Sequence, residues 1–308
     1  MAIIGNTKTI KLLDRIVETG KIANAYLFLG PENVGKFTVA LEFAKKLTGS
    51  DGKVNFDLII IAPETEEKKG VTKKLDIKVE MIRELQHKLN LTSAGGKYKA
   101  VIIDDAERLN KMAQNALLKT LEEPNEKVVL ILVSQNEKKI LPTIASRCQK
   151  IKFGSVDDTD IEKIIPAEAN NKKEIIFWAL GRPGIAVGLI NDPAELEFRK
   201  RASDDLTNLF SGNISEKFSM ADEMSKDAQM LIKKKNLWLI ILRQSMFRKD
   251  KLSVKIYPDK ALRLIEEITA SLEALRDTNS NSKLILENLF LKFTLSNNIN
   301  LSSVIYKN

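Results

Sequence analysis

Residues Gly30 to Lys36 have the spacing of a loop that binds phosphate groups. The segment follows the apolar run 25–29 and opens a pattern that is typical of a helix. In such a loop the backbone N–H groups hold phosphate oxygens, and the lysine reaches the terminal phosphates. We therefore predict that Gly30, Asn33, Gly35 and Lys36 form a nucleotide-binding loop. The alternative is an ordinary strand–turn–helix connection with a surface lysine.

The position after the lysine weakens this site. It usually supplies a hydroxyl group to magnesium, but here it is Phe37, which has no ligand atom. Thr38, the next residue, is kept as a candidate for nucleotide binding, although it is rotated by about 100° around a helix and should face elsewhere. Asn33 replaces a common glycine, although asparagine tolerates a left-handed backbone better than most residues. We expect ATP and Mg²⁺ to bind weakly or not at all, with little or no ATPase activity.

Two adjacent carboxylates follow the apolar run 101–103. Asp104 has the position of a carboxylate that orients magnesium, and Asp105 stands where an active hydrolase would hold a glutamate base. Aspartate is one methylene shorter, and general-base catalysis is sensitive to such a displacement. The alternative is that the pair only caps the next helix.

Two further positions leave a choice open. Ser134, with Gln135 and Asn136, ends another apolar run, and these residues either sense a terminal phosphate or only form a turn. Arg182, in a Gly-Arg-Pro-Gly segment, either reaches a nucleotide or is simply exposed. We keep Ser134 and Arg182 as candidate nucleotide-binding residues.

Arg147 is the candidate for action outside the chain's own site. It lies in the segment Ser146-Arg147-Cys148, after a short helical pattern and just before a short strand. An exposed guanidinium there could stabilise charge on a phosphate that an adjacent subunit binds. An internal salt bridge is the alternative. His87, the only histidine, has no catalytic partner in the pattern, and Cys148 is expected to be buried.

The elements that position these residues alternate between strand and helix. Near-continuous apolar runs predict strands, and helical spacing predicts helices between them. The strands are expected at 25–29, 58–61, 101–103, 128–133 and 150–153, and the helices at 36–47, 78–90 and 110–122. This order predicts an α/β fold with a parallel sheet. Ligands bind at the carboxyl ends of such strands, where Gly30, Asp104 and Ser134 should converge. The polar stretch 64–74 is expected to be a loop.

Composition adds a charge argument and some exclusions. The 308 residues carry a formal net charge of +8, which favours a polyanion such as nucleic acid, although each basic cluster fits a solvated helix face. The single cysteine excludes an internal disulfide bond. Since the apolar runs are shorter than the roughly 18 residues of a membrane span, we predict no membrane contact. The amino terminus does not resemble a signal peptide.

Several segments together resemble one family. They are Gly5-Asn6, 25–31, the imperfect phosphate loop, 101–107, the Asn-Ala-Leu-Leu-Lys-Thr-Leu-Glu-Glu-Pro segment at 115–124 and Ser146-Arg147-Cys148. The chain resembles the AAA+ clamp-loader subunits of bacterial DNA polymerase III, most of all their delta-prime branch. The resemblance covers roughly residues 1–153.

The resemblance implies an architecture in three parts. These are a AAA+ nucleotide-binding domain (1–155), a helical lid (156–203) and an all-α collar domain for oligomerisation (204–308). It also implies a cytoplasmic subunit that lends Arg147 in trans to a neighbouring ATPase. The implied partners are the gamma/tau ATPase subunits, the delta subunit, the sliding clamp and primer–template DNA. Related loaders often carry four zinc-binding cysteines, which are absent here, so no zinc or other metal site is expected.

Three other functions remain as alternatives. An active motor subunit of the same ring would need a working magnesium ligand in place of Phe37. A small-molecule kinase would need a substrate pocket and would not need Arg147. A basic DNA-binding scaffold would have no nucleotide role, and its DNA binding would depend strongly on salt.

Overall fold

The computed structural model describes residues 3–49, 57–68, 71–89, 98–124, 127–247, 258–275 and 281–295. Contacts divide the chain into two compact units, 1–190 and 191–308, which are described separately below. The strands are Ala25–Leu29 (β1), Leu58–Ile61 (β2), Thr65–Lys68 (β3), Val71–Lys74 (β4), Lys99–Ile103 (β5), Val128–Ser134 (β6) and Gln149–Lys152 (β7).

The helices follow in the same chain order. Those that begin in the first unit are Thr7–Thr19 (α1), Lys36–Thr48 (α2), Val79–Leu89 (α3), Lys111–Glu122 (α4), Pro142–Ala145 (α5), Asp158–Glu162 (α6), Lys172–Ala179 (α7) and Pro183–Asn191 (α8). Those of the second unit are Pro193–Ser211 (α9), Ile214–Ser225 (α10), Ala228–Phe247 (α11), Pro258–Ala274 (α12) and Ser282–Leu295 (α13).

The first unit is built on a parallel sheet, as predicted. Its five strands have the order β2-β5-β6-β1-β7, and each neighbouring pair is parallel. All carboxyl ends therefore lie at one edge of the sheet, and all amino ends lie at the opposite edge. In this register Leu29 pairs with Ser134 near the carboxyl edge, and Tyr26 pairs with Gln149 near the amino edge.

Alternate strand residues pack against helices on both faces of the sheet. On one face Leu27, Val101 and Leu130 contact α3, α4 and α5, and on the other face Phe28 and Ile102 contact α1 and α2. This two-sided burial explains why the strands are nearly continuous apolar runs. Cys148 is buried in the first of these cores, as predicted, and burial raises the pKa of its thiol to about 11.

Residues 64–74, which the sequence predicts to be a loop, contain two paired strands. β3 and β4 are antiparallel, and Thr65 pairs with Lys74. The pair is attached to the segment that follows β5, because Arg108 Nη1 donates to the carbonyl of Lys74 at 2.9 Å and Ile77 N donates to the carbonyl of Arg108 at 2.9 Å. These two strands are held by hydrogen bonds between polar backbone groups. A search for apolar runs in the sequence does not detect such strands.

Gln114 connects the start of α4 to the chain that leads into α5. Its side chain is buried; Nε2 donates to the carbonyls of Leu109 and Lys139 at 3.0 Å each, and Oε1 accepts from Leu141 N at 2.7 Å. Three backbone groups, which are buried or partly buried in these hydrogen bonds, therefore depend on this one amide.

We expect Gln114→Ala to destabilise the first unit. Three backbone groups lose their partner, which should lower the free energy of unfolding by about 2 kcal/mol. Asn115→Ala is the matched control because Asn115 is an exposed amide on the same helix. Urea unfolding followed by circular dichroism compares the two variants, and equal midpoints would contradict this account.

Helices α6, α7 and α8 begin in the first unit, and α8 contacts the phosphate-loop region. Gly184 N, in the first turn of α8, donates to the carbonyl of Asn33 at 2.9 Å. A Cβ atom at Gly184 would lie 3.1 Å from the Asn33 side chain, so the two segments are in close contact. The predicted division into three domains stays a prediction, and α9 runs across its expected boundary at 203/204.

The second unit is a helical assembly with an apolar core. Trp238 on α11 and Phe293 on α13 are fully buried, and Trp238 Nε1 donates to the carbonyl of Ala202 on α9 at 2.7 Å. In the described residues no helix is both long and apolar enough to span a membrane.

Candidate functional site

The predicted phosphate loop connects β1 to α2 at the carboxyl edge of the sheet. Asn33 and Gly35 both have a left-handed backbone, with φ of 64° and 91°, which agrees with the tolerance expected of asparagine. A Cβ atom at Gly30 would collide with the carbonyl oxygen of Phe153, so a side chain cannot be placed there without moving β7. The loop conformation therefore depends on glycine at the end of β1.

Lys36 is the first residue of α2, and its ammonium group contacts its own loop. Nζ donates to the carbonyls of Gly30 at 2.7 Å and Pro31 at 2.6 Å, and the residue is only 7% exposed. Burial lowers the pKa of Lys36, while the carboxylates of Glu107 and Asp104 act in the opposite direction. A phosphate group would have to compete with two backbone carbonyls for this ammonium.

The next two residues decide how well the site fits magnesium. Phe37 is partly buried and packs against the apolar core of α1 and α2, and it has no oxygen to offer. Thr38 lies one residue further along the helix and is half-buried. Backbone N–H groups and Lys36 suit a phosphate, but no metal ligand comes from Phe37. Magnesium and nucleotide binding therefore remain expectations for this loop.

Asp104 and Asp105 are adjacent, yet their environments differ. Asp104 directly follows β5 at the carboxyl edge of the sheet, and its N–H donates to the carbonyl of Ile61 at 2.8 Å. Burial, together with the charge of Asp105, raises the pKa of the Asp104 carboxyl group. Asp105 has a left-handed backbone, and its Oδ2 accepts from Lys74 Nζ at 2.5 Å. This hydrogen bond raises the pKa of Lys74. The Asp105 carboxylate is thus paired with a lysine of β4, and its role in catalysis stays a prediction.

Glu107 is a candidate site residue that the sequence analysis did not include. It is the carboxylate that most raises the pKa of Lys36, against the lowering caused by burial, and its Oε1 accepts from Gln135 N at 3.4 Å. Its Oε2 is buried and has no hydrogen-bond partner among the described residues. Gln135 also donates from Nε2 to Glu32 Oε1 at 3.0 Å. Glu107 lies within a short 3₁₀ turn, Ala106–Arg108, and residue spacing alone does not place it near the loop.

The other two candidates at this edge are placed by the backbone. Gly30 N donates to the carbonyl of Ser134 at 3.3 Å, and the buried Ser134 Oγ accepts from Asn136 N at 3.1 Å. Asn136 Oδ1 accepts from Lys138 N. Arg182 is half-buried just before α8, and its carbonyl accepts from Ile185 N at 3.0 Å. Ser134 is thus next to the phosphate loop, and roles for Ser134 and Arg182 in nucleotide binding stay predictions.

Arg147 lies at the opposite edge of the sheet. It follows α5 and precedes β7, and it lines a cavity of about 600 Å³ together with Ala25 and Val128, the first residues of β1 and β6. Arg147 Nη2 donates to Glu122 Oε1 and Nη1 donates to the carbonyl of Thr143, both at 3.0 Å. A strand of five residues is about 16 Å long, so Arg147 is too far from the loop to act on it.

The same cavity is lined by other basic side chains. Arg83, His87 and Lys119 line it, together with Glu123. No cluster of three or more His, Cys, Asp or Glu side chains suited to a metal occurs in the part of the chain that the structure describes. The expectation of no zinc remains a prediction.

Comparison with known proteins agrees with this architecture. Residues 5–157 match the model of the family described as "DNA polymerase III, delta subunit". The gamma subunit of DNA polymerase III from Buchnera aphidicola (subsp. Schizaphis graminum) is 34% identical over 168 residues, or 52% of this chain and 46% of the relative. The delta' subunit from Bacillus subtilis is 30% identical over 171 residues, or 50% of this chain and 49% of the relative.

A solved structure matches over a longer part of the chain. The gamma subunit-related protein of DNA polymerase III from Thermotoga maritima has 21% sequence identity and a TM-score of 0.55. It covers 94% of this chain, and the match extends over 99% of that protein. At this identity the match supports the fold alone. The chain spans about half the length of the two sequence relatives given above.

The parallel sheet, the loop between β1 and α2 and the helices on both faces define a protein of the α/β class with an additional helical part. Within this class, the match over residues 5–157 and the delta' and gamma relatives identify the family. The chain belongs to the clamp-loader family of DNA polymerase III subunits.

Proposed function

We propose that this chain is a non-hydrolysing subunit of the delta-prime type, which helps to load the sliding clamp onto primed DNA during replication. In this proposal Arg147 acts in trans on ATP that a neighbouring gamma/tau-type subunit binds. The chain's own loop holds nucleotide and magnesium weakly or not at all.

One observation carries the proposal. Arg147 is exposed at the edge of the sheet opposite to the chain's own loop, while the magnesium position beside Lys36 is filled by Phe37, which packs against the core. The arginine is therefore too far from its own loop to act there, which supports a role on a phosphate that another molecule binds. A subunit with a defective loop and an available arginine fits a stator better than a motor.

The proposed partners follow from the family. They are the gamma/tau-type ATPase subunits, a delta subunit, the sliding clamp and primer–template DNA, and the proposed location is the cytoplasm. Both delta' and gamma subunits of DNA polymerase III occur among the relatives, which supports an assembly that contains both types.

A basic DNA-binding scaffold has less support from the structure. Two basic clusters of the second unit, 199–201 and 233–235, form ion pairs with carboxylates of the same unit. Lys233 and Arg199 both pair with Glu195, and Lys234 pairs with Asp205 at 2.7 Å. Lys235, the third lysine of the cluster 233–235, is buried. Lys233, Arg199 and Lys234 are therefore paired with carboxylates of the same unit, which leaves less of their charge available to DNA.

Lys36→Ala in this chain distinguishes a stator from a motor. The variant is assembled with the gamma/tau-type and delta-type subunits of the same organism, and steady-state ATPase activity is measured with clamp and primer–template DNA. Because the loop of a stator hydrolyses nothing, we expect the rate to stay within about twofold of the wild-type rate. The matched control is the equivalent lysine substitution in the gamma/tau-type subunit, which should abolish most activity. A comparable loss from Lys36→Ala would instead identify this chain as a motor.

A further inference from the structure

Two contacts hold the Arg147 guanidinium, and they come from different elements. Nη1 donates to the carbonyl of Thr143 on α5, one turn earlier in the chain, and Nη2 donates to Glu122 Oε1 at the carboxyl end of α4. A guanidinium is planar, so contacts to two of its nitrogens fix both its position and the orientation of its plane. Of these two acceptors, Glu122 contributes a side chain and Thr143 contributes a backbone carbonyl.

The Glu122–Arg147 pair has little to contribute to folding. Its side chains are 52% and 38% exposed, and exposed ion pairs typically contribute only about 0–1 kcal/mol. The pair therefore has its main effect on where the arginine lies. A displacement of about 1 Å is enough to reduce catalysis by a factor of about 100 when a group must meet a transition state.

The surrounding charge makes this carboxylate more important. Arg83, Lys119 and Arg147 line one cavity, and like charges favour conformations in which the cations move apart into solvent. Glu122 supplies an opposite charge in direct contact with Arg147. Glu123, which lines the same cavity, has a similar charge and exposure and provides a natural comparison.

We propose that Glu122 is a positioning residue, which orients Arg147 for its action on nucleotide bound by a neighbouring subunit. This inference rests on the proposed function. Glu122 does not touch the nucleotide; it acts by holding the second nitrogen of the guanidinium, Nη2, while the Thr143 carbonyl holds Nη1.

The test uses the assembled complex with clamp and primer–template DNA. Glu122→Ala should lower kcat for ATP about tenfold with little change in KM, because binding by the neighbour is intact and only the arginine is misplaced. Glu123→Ala should leave kcat unchanged. Glu122→Gln keeps one acceptor oxygen and should retain part of the activity that Glu122→Ala loses. Gel filtration verifies that all variants assemble.

A double-mutant comparison separates positioning from a purely structural role. If Glu122 acts through Arg147, Glu122→Ala combined with Arg147→Ala should be no slower than Arg147→Ala alone. An additive loss would overturn the inference, as would a wild-type or raised kcat in Glu122→Ala while Arg147→Ala is impaired; the proposed function would stand in both cases. If Arg147→Ala itself has no effect, the proposed function fails and the inference fails with it.

Discussion

Replacement of Arg147 with alanine is expected to slow ATP hydrolysis at the neighbouring site about 100-fold or more. A guanidinium aimed at a phosphoryl group stabilises charge that develops in the transition state, and the loss of one such donor typically reduces the rate by a factor of about 10² to 10³. The contacts of Arg147 with Glu122 and Thr143 show that its side chain is held at the edge of the sheet away from its own loop.

Quench-flow measurement gives the sharpest test, because only one of the ATP sites in a complex should depend on this arginine. The loader is assembled with the Arg147→Ala variant, clamp and primer–template DNA, and ATP hydrolysis is followed by chemical quench. The fast phase of hydrolysis should lose the amplitude that corresponds to one ATP site. Arg83→Ala is the matched control: it removes a guanidinium that lines the same cavity. We expect it to preserve the full amplitude.

The competing interpretation is that Arg147 only forms a salt bridge within the chain. In that case Arg147→Ala would change stability slightly and leave the fast phase intact, since an exposed pair contributes only about 0–1 kcal/mol. Unchanged amplitude in an intact assembly would therefore remove the central claim about this residue.

The second large effect concerns Lys235, a buried cation on α11. Lys235 is 0% exposed, and its Nζ donates to Ser271 Oγ at 3.0 Å. Its neighbours in sequence, Lys233 and Lys234, pair with the carboxylates of Glu195 and Asp205. Burial lowers the pKa of Lys235 from 10.5 to about 8. The charged form is thus penalised in the folded state.

Lys235→Met is expected to stabilise the second unit at pH 7. A pKa lowered from 10.5 to about 8 corresponds to a cost of about 3 kcal/mol for burial of the charge, at about 1.4 kcal/mol per pKa unit. Methionine has a similar length and no charge, and Ser271 Oγ keeps its own hydrogen bond to the carbonyl of Ile268. Calorimetry should show a higher unfolding temperature for the second unit.

The pH dependence gives an independent check with a defined sign. Between pH 8 and 10.5 the unfolded chain binds more protons at Lys235 than the folded chain does. Wild-type stability should therefore gain from this group as pH rises through that window, and the advantage of Lys235→Met should shrink. Lys234→Met is the control; it breaks the ion pair with Asp205 and should destabilise modestly. A destabilised Lys235→Met would show that the buried ammonium is favourable.

The fold could be predicted from sequence where buried strands consist of nearly continuous apolar residues. The strands β1, β2, β5 and β6 are apolar on both faces, so their positions and their parallel order follow from the chain. Helix α1 was not predicted, although Ile10, Leu13 and Ile16 have helical spacing. The antiparallel pair of β3 and β4 was predicted to be a loop, because its order comes from backbone pairing.

The site could be predicted in outline, but its contacts could not. Gly30 and Ser134 do converge, since the strand ends determine where they lie. The sequence places Asp105 directly after Asp104, but it does not show that Asp105 has a left-handed backbone or that its carboxylate contacts Lys74. Such turns depend on tertiary packing, which residue spacing does not encode.

The parallel order of the sheet makes the first unit directional. The Lys36 loop and Arg147 occupy opposite ends of the same strands, so a contact that brings one chain's arginine to another chain's loop joins two different surfaces, as in a head-to-tail contact. Head-to-tail contacts propagate until a ring closes or a subunit fails to pass them on. A chain that can give an arginine but has little use for receiving one is suited to be the terminal link of such a series.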